Sequence, residues 1–272
     1  MTVQELVRTG RLADAVAAQT QEVKAQPGDR DRRFQLFVLL AFAGELERAE
    51  LQLEALAHQD SRLELGSATY RHLLASELER RKVHGEGRRP VLPPDPPREV
   101  GLRLEAVACR SRGDRAGAER ALEQAVEAGG LVHGKLNGEA FEGLRDYDDF
   151  LGPVLEVYAG GRCLWLPLER IRKLEVPEPR TQLDLLWAPA ELHDASGEHA
   201  SVHLPVLYEG SFAHASELVR LGRSTEWIDC EVGFRGAGQK ILLSAQGEAE
   251  RETALLGVRT LEIEAGPAEA EA

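Results

Sequence analysis

The chain has 272 residues, 43% of them apolar and 29% charged, which is the composition of a folded globular protein rather than a disordered or fibrous one. Lys and Arg number 33 against 46 Asp and Glu, a net charge of −13, and such a field repels nucleic-acid phosphates. Three scattered cysteines, Cys109, Cys163 and Cys230, make neither a disulfide framework nor a metal knuckle.

The start, Met1-Thr2-Val3-Gln4-Glu5, lacks the basic and apolar regions of a secretory signal, so a cytoplasmic protein is expected. The strongest apolar run, Phe37 to Ala43, is too short to span a bilayer.

The first half reads as helices. Gly10-Arg11-Leu12-Ala13-Asp14-Ala15 is echoed 34 positions later by Gly44-Glu45-Leu46-Glu47-Arg48-Ala49. A further echo, Gly113-Asp114-Arg115-Ala116-Gly117-Ala118, follows after about two more periods. This is the spacing of tetratricopeptide-type helix pairs, in which the glycine closes one helix in a left-handed conformation. Asp29, after Pro27-Gly28, suits an N-cap. Apolar periodicity predicts helices over Leu46 to Ala57, Leu63 to Val83, Glu99 to Arg112 and Arg115 to Ala128. The match is degenerate, because no clean turn occurs near residue 78. The proline-rich stretch from Gly85 to Pro97 excludes helix and reads as a stiff connector inside the helical layer.

After Gly129-Gly130 the segments become short and β-rich. Val154–Tyr158 and Arg162–Leu166 flank Ala159-Gly160-Gly161 as a hairpin. Further strands are expected at Trp187–Leu192, Ser201–Pro205, Trp227–Phe234, Gln239–Leu243 and Arg259–Glu264. The predicted fold is α+β: an N-terminal tetratricopeptide-like α-superhelix over residues 1–129, then a smaller, mostly antiparallel β-rich domain over 130–265. Residues 266–272 read as a frayed acidic tail.

Candidate chemistry is thin. Gly129 to Lys135 matches the first seven positions of a phosphate loop, but Leu136 replaces the hydroxyl residue that would hold magnesium. Gly233-Phe234-Arg235-Gly236-Ala237-Gly238 suits a turn or bulge between strands. His193, His199 and His203 lack a convincing further metal ligand. Asp146, Asp148 and Asp149 suit capping and turn formation ahead of Val154. Cys163 suits a core position, and Ser211 lacks the flanking pattern of a nucleophile elbow. No catalytic residue, metal or cofactor is assigned.

Several phrases occur in order: Tyr70-Arg71-x-Leu73-Leu74-x-x-Glu77, the block Leu144 to Val157, Trp165-Leu166-Pro167, Asp184 to Ala190, Leu204 to Ser211, and Leu221 to Trp227. Together they resemble the ImpE/TagJ family, accessory proteins of the bacterial type VI secretion system. The resemblance implies a cytoplasmic accessory of the contractile sheath. Its partners would be the small sheath subunit and the AAA+ ATPase that recycles contracted sheath, with no nucleic acid and no membrane insertion. It brings no catalytic residues. An adaptor reading makes Tyr70, Arg71, Glu77, Arg80 and Arg223 the candidate partner contacts, with Arg71, Glu77 and Arg80 facing a groove. The alternative is a small-molecule-binding protein or enzyme with a site at the junction of the two parts. A deep pocket with converging ionisable groups would distinguish it.

Overall fold

The computed structural model describes residues 1–59 and 63–264; the acidic ending from Gly266 falls outside them. Seven helices come first: α1 (Val3–Arg8), α2 (Leu12–Ala25), α3 (Arg30–Phe42), α4 (Leu46–Gln59), α5 (Leu63–Glu86), α6 (Arg98–Ser111) and α7 (Arg115–Ala128). Their starts follow from local side-chain caps. Thr2 and Glu5 form a reciprocal capping box, Asp29 accepts from the Arg32 N–H, and Asp114 accepts from the Gly117 N–H. The three echoed glycines are left-handed, with φ of 78° at Gly10, 75° at Gly44 and 75° at Gly113, so α1/α2, α3/α4 and α6/α7 each turn back at a glycine. The repeat has no counterpart near residue 78 because α5 runs unbroken to Glu86.

Gly44 and Gly113 differ in surroundings, and this yields a paired prediction. A Cβ at Gly44 would lie 2.5 Å from the Phe212 ring, whereas a Cβ at Gly113 would meet nothing within 4 Å. Gly113→Ala should therefore cost only the left-handed penalty of about 1–2 kcal/mol. Gly44→Ala should cost about 1–3 kcal/mol more from overpacking. Urea denaturation of the two variants measures the difference.

Strands fill the second half: β1 (Gly134–Leu136), β2 (Glu139–Phe141), β3 (Gly143–Asp146), β4 (Val154–Ala159), β5 (Arg162–Pro167), β6 (Ile171–Glu175), β7 (Trp187–Asp194) and β8 (His199–Pro205). A short helix α8 (Glu217–Arg220) precedes β9 (Thr225–Asp229), β10 (Phe234–Gly238), β11 (Ile241–Gln246), β12 (Ala249–Ala254) and β13 (Thr260–Ile263). The main sheet has the order β2-β1-β13-β6-β7-β8-β4-β5; β12-β11-β3 and β10-β9 form two smaller sheets. Every paired strand is antiparallel. The strand-bearing stretch from Gly134 to Ile263 is about as long as the helical one, not smaller. Gly160 and Gly161 both have positive φ, as a two-residue hairpin turn requires.

Three expectations are corrected. Trp227–Phe234 is not one strand: β9 ends at Asp229, and a turn with Glu231 at φ 62° leads into β10. The strand placed at Gln239 begins at Ile241 instead, because the Lys240 N–H donates to the Val206 carbonyl. The proline-rich connector does not stay inside the helical layer. Its Val91 N–H donates to the Cys163 carbonyl, and the Trp165 N–H donates back to Val91. The strap thus covers the outer edge of β5, a suitable place for a segment rich in prolines.

The β4–β5 hairpin separates two cores. Val154, Tyr158, Cys163 and Trp165 face the helices and join Phe37, Leu40, Leu73 and Val107. Leu155, Val157 and Leu166 face the other way and join Ile171, Leu174, Leu204 and Leu261. The helical part therefore completes its core with side chains from the strands.

Candidate functional site

The ionisable groups converge where α5 crosses β4 and β5. The apolar strand Val154-Leu155-Glu156-Val157-Tyr158 carries one carboxylate, and alternation turns it toward the helices with Val154 and Tyr158. Glu156 is 1% exposed. Its Oε2 accepts from Arg80 Nε at 2.9 Å and from Lys240 Nζ at 2.6 Å. Its Oε1 lies 2.7 Å from His84 Nε2 and accepts from Trp165 Nε1 at 3.3 Å. Arg80 also donates to the Leu207 carbonyl at 2.6 Å and pairs with Glu77 at 3.3 Å. Glu77 in turn accepts from the Tyr158 hydroxyl. Helical spacing explains the supply from α5: Glu77, Arg80 and His84 recur at three and four residues on one face.

Burial alone would raise the Glu156 carboxyl, but Arg80, Lys240 and His84 overcome it and hold it well below the ordinary carboxylate range. The neighbouring carboxylates behave oppositely. Burial pushes Asp146 up to about 7, against the pull of Lys240. Burial likewise raises Asp148.

Asp146 and Asp148 organise the turn between β3 and β4. Asp146 Oδ1 accepts from the Tyr208 hydroxyl at 2.8 Å and from the Asp148 N–H at 2.9 Å. Asp148 accepts from the Phe150 and Gly236 N–H groups. Asp149 accepts from the Phe234 N–H and pairs with Arg145. Gly152, at φ 54°, lies against the Arg103 guanidinium, which Glu99 holds at 2.6 Å. The acidic knot thus makes the turn expected of it and also ties α6, β10 and Tyr208 together.

Of the candidate partner contacts, Glu77 and Arg80 are buried in this network, so they do not face an open groove. Glu156 draws Arg80 inward across the junction, and Arg80 with the Tyr158 hydroxyl holds Glu77 there. Tyr70 packs its ring 5.5 Å from Phe34 and from Phe37, and Arg71 is partly exposed beside it. Arg223 is distant and exposed, and it donates to the Arg8 carbonyl at 2.9 Å. Sequence reasoning missed Glu156, Lys240, His84 and Tyr158. The available signal was a lone carboxylate within an otherwise apolar strand.

Other motifs take structural places. Gly134 in the loop-like phrase belongs to β1, where a Cβ would lie 2.0 Å from the Glu262 carbonyl oxygen. His193 and His199 stack with ring centres 4.4 Å apart. No group of three or more metal-ligating side chains occurs among the described residues. Ser211 Oγ donates to Tyr208 O and accepts from the Gly238 N–H, and Cys163 is fully buried. The cavity bounded by Glu77, Arg80, Trp187 and Tyr208 measures only about 20 Å³. That is room for about one water, not for a substrate.

Comparison with known proteins agrees with the resemblance. The family described as ImpE protein matches residues 138–262. The type VI secretion system accessory component TagJ of Pseudomonas aeruginosa is 36% identical over 97% of this chain and 92% of its own length. The crystal structure of protein VPA1032 from Vibrio parahaemolyticus superposes with a TM-score of 0.87 at 23% identity, covering 98% of each chain, and so shares the fold. With a relative this similar along almost its full length, the chain belongs to the ImpE/TagJ family.

Proposed function

We propose that the protein is a non-enzymatic, cytoplasmic adaptor of the type VI secretion system. In this reading it binds a sheath subunit and assists its link to the AAA+ ATPase that recycles contracted sheath. The observation that carries it is the 36% identity to an accessory component of that system over 97% of the chain. The site chemistry supports it. Where α5 crosses β4 and β5, Glu156 is paired with Arg80 and Lys240, and the cavity beside them measures about 20 Å³, too small for a substrate. Among the described residues no helix is long and apolar enough to cross a membrane. Tyr70, Arg71 and Arg223 stand as candidate contacts, while Glu77 and Arg80 act by fixing the position of α5.

Co-elution of the purified full chain with purified sheath subunit, and then with the ATPase added, tests the proposal. The expected result is a sheath complex at micromolar concentration that also retains the ATPase. A natively folded chain that elutes alone in both mixtures would overturn it. The full chain is needed because a fragment ending at residue 129 lacks Val154, Tyr158, Cys163 and Trp165 from its core.

A further inference from the structure

A groove of about 650 Å³ runs between the end of α7 and the outer face of the β12-β11-β3 sheet. Its floor follows from register. Gly143 pairs with Ala245 and Arg145 with Leu243, so these four residues share the face turned away from Leu144 and Leu242. The wall is apolar and open to solvent: Val126 is 71% exposed and Leu131 is 74% exposed, above the buried Leu122 and Val132. Two apolar side chains this exposed line the same groove, which makes it the candidate docking surface.

Charge selects the occupant. Four carboxylates, Glu99, Glu123, Asp149 and Glu250, line the groove against two guanidinium groups, Arg103 and Arg145. Arg103 is held by Glu99, and Arg145 by Asp149. Among the described residues, Glu123 and Glu250 have no ion-pair partner. The chain as a whole adds its charge of −13. The acidic segment 265–272, with Glu269 and Glu271, has the wrong sign for this rim.

We propose that this groove seats a short segment of a partner protein. The segment places two or three apolar side chains on Val126 and Leu131 and flanks them with Lys or Arg facing Glu123 and Glu250. The assignment rests on the adaptor reading for the bearer of the segment, the small sheath subunit. Apolar anchors hold it and the rim charges fix its direction.

The probe is a set of fluorescently labelled peptides that tile the small sheath subunit, titrated into the full chain by anisotropy at low and high salt. One peptide with basic flanks should bind. Val126→Glu should weaken it about tenfold or more, the effect expected of an interface anchor. Glu123→Lys with Glu250→Lys should weaken it and flatten its salt dependence. Leu51→Glu, at an exposed site on α4, should change nothing. Unchanged binding by Val126→Glu overturns the groove but leaves the adaptor standing. Capture of the intact subunit with no peptide bound does the same. Failure of peptides and intact subunit together overturns both. Binding seen only after residues 265–272 are removed makes that segment the occupant, and a dimer that Val126→Glu dissociates makes it a second copy; either overturns the proposal.

Discussion

Glu156→Gln is expected to destabilise the protein by about 3–5 kcal/mol, the cost of removing one partner from a buried ion pair. The change barely alters shape. It replaces a carboxylate that answers Arg80 and Lys240 with a neutral amide, leaving two cations in a site where they are 2% exposed each. Against a total stability of about 5–15 kcal/mol, this loss is a large fraction. Urea denaturation at pH 7 measures it. Lys240→Met in the Glu156→Gln background should recover part of the loss, because it removes the cation that Glu156 had answered while Arg80 keeps Glu77 as its partner. A non-additive cycle is the signature. An additive cycle, or a loss under 1 kcal/mol, would show that the network is not a coupled unit. In the wild type, the contribution of Glu156 is present above its unfolded value near 4.5 and is lost as pH falls below it.

The opposite slope is expected from Asp146. Its folded value of about 7 lies above the unfolded 3.8, so the folded state holds the proton more tightly. Stability from this group is therefore full below about pH 4 and falls as pH rises to about 7. Asp146→Asn keeps an oxygen for the Tyr208 hydroxyl and the Asp148 N–H but cannot ionise. Relative to wild type, it should gain roughly 2–3 kcal/mol on moving from pH 5 to pH 8, at about 1.36 kcal/mol per pH unit over the titrating range. Denaturant midpoints of both proteins at the two pH values test this. Parallel curves would mean that Asp146 is ionised in the folded protein throughout.

Features with a local cause were legible in the sequence. The glycines at 10, 44 and 113 need a left-handed backbone wherever they stand, and Asp29 caps its helix with its own side chain. The Gly160-Gly161 hairpin likewise depends on two adjacent residues. What escaped depends on distant partners. β12 reads Ala249-Glu250-Arg251-Glu252-Thr253-Ala254, a polar run that is a strand only because β11 pairs with it. Glu77 and Arg80 look like a surface pair on an isolated helix, and only Glu156 and Tyr158, far along the chain, hold them inward, Glu156 through Arg80 and Tyr158 through Glu77. Lys240 follows a misplaced strand start, and nothing local marks it as buried. The groove beside Val126 was equally hidden, since it needs α7, β3 and β11 side by side.

The shared core also has a consequence for biosynthesis. Arg80 meets its carboxylate only after Glu156 is made, and the second cation arrives with Lys240. At about 5–20 residues per second, roughly ten to thirty seconds separate translation of Arg80 from that of Lys240. In the first half of that interval Phe37, Leu73 and Val107 still lack Tyr158, Cys163 and Trp165 as neighbours. The nascent helical half thus exposes apolar surface until the strands emerge.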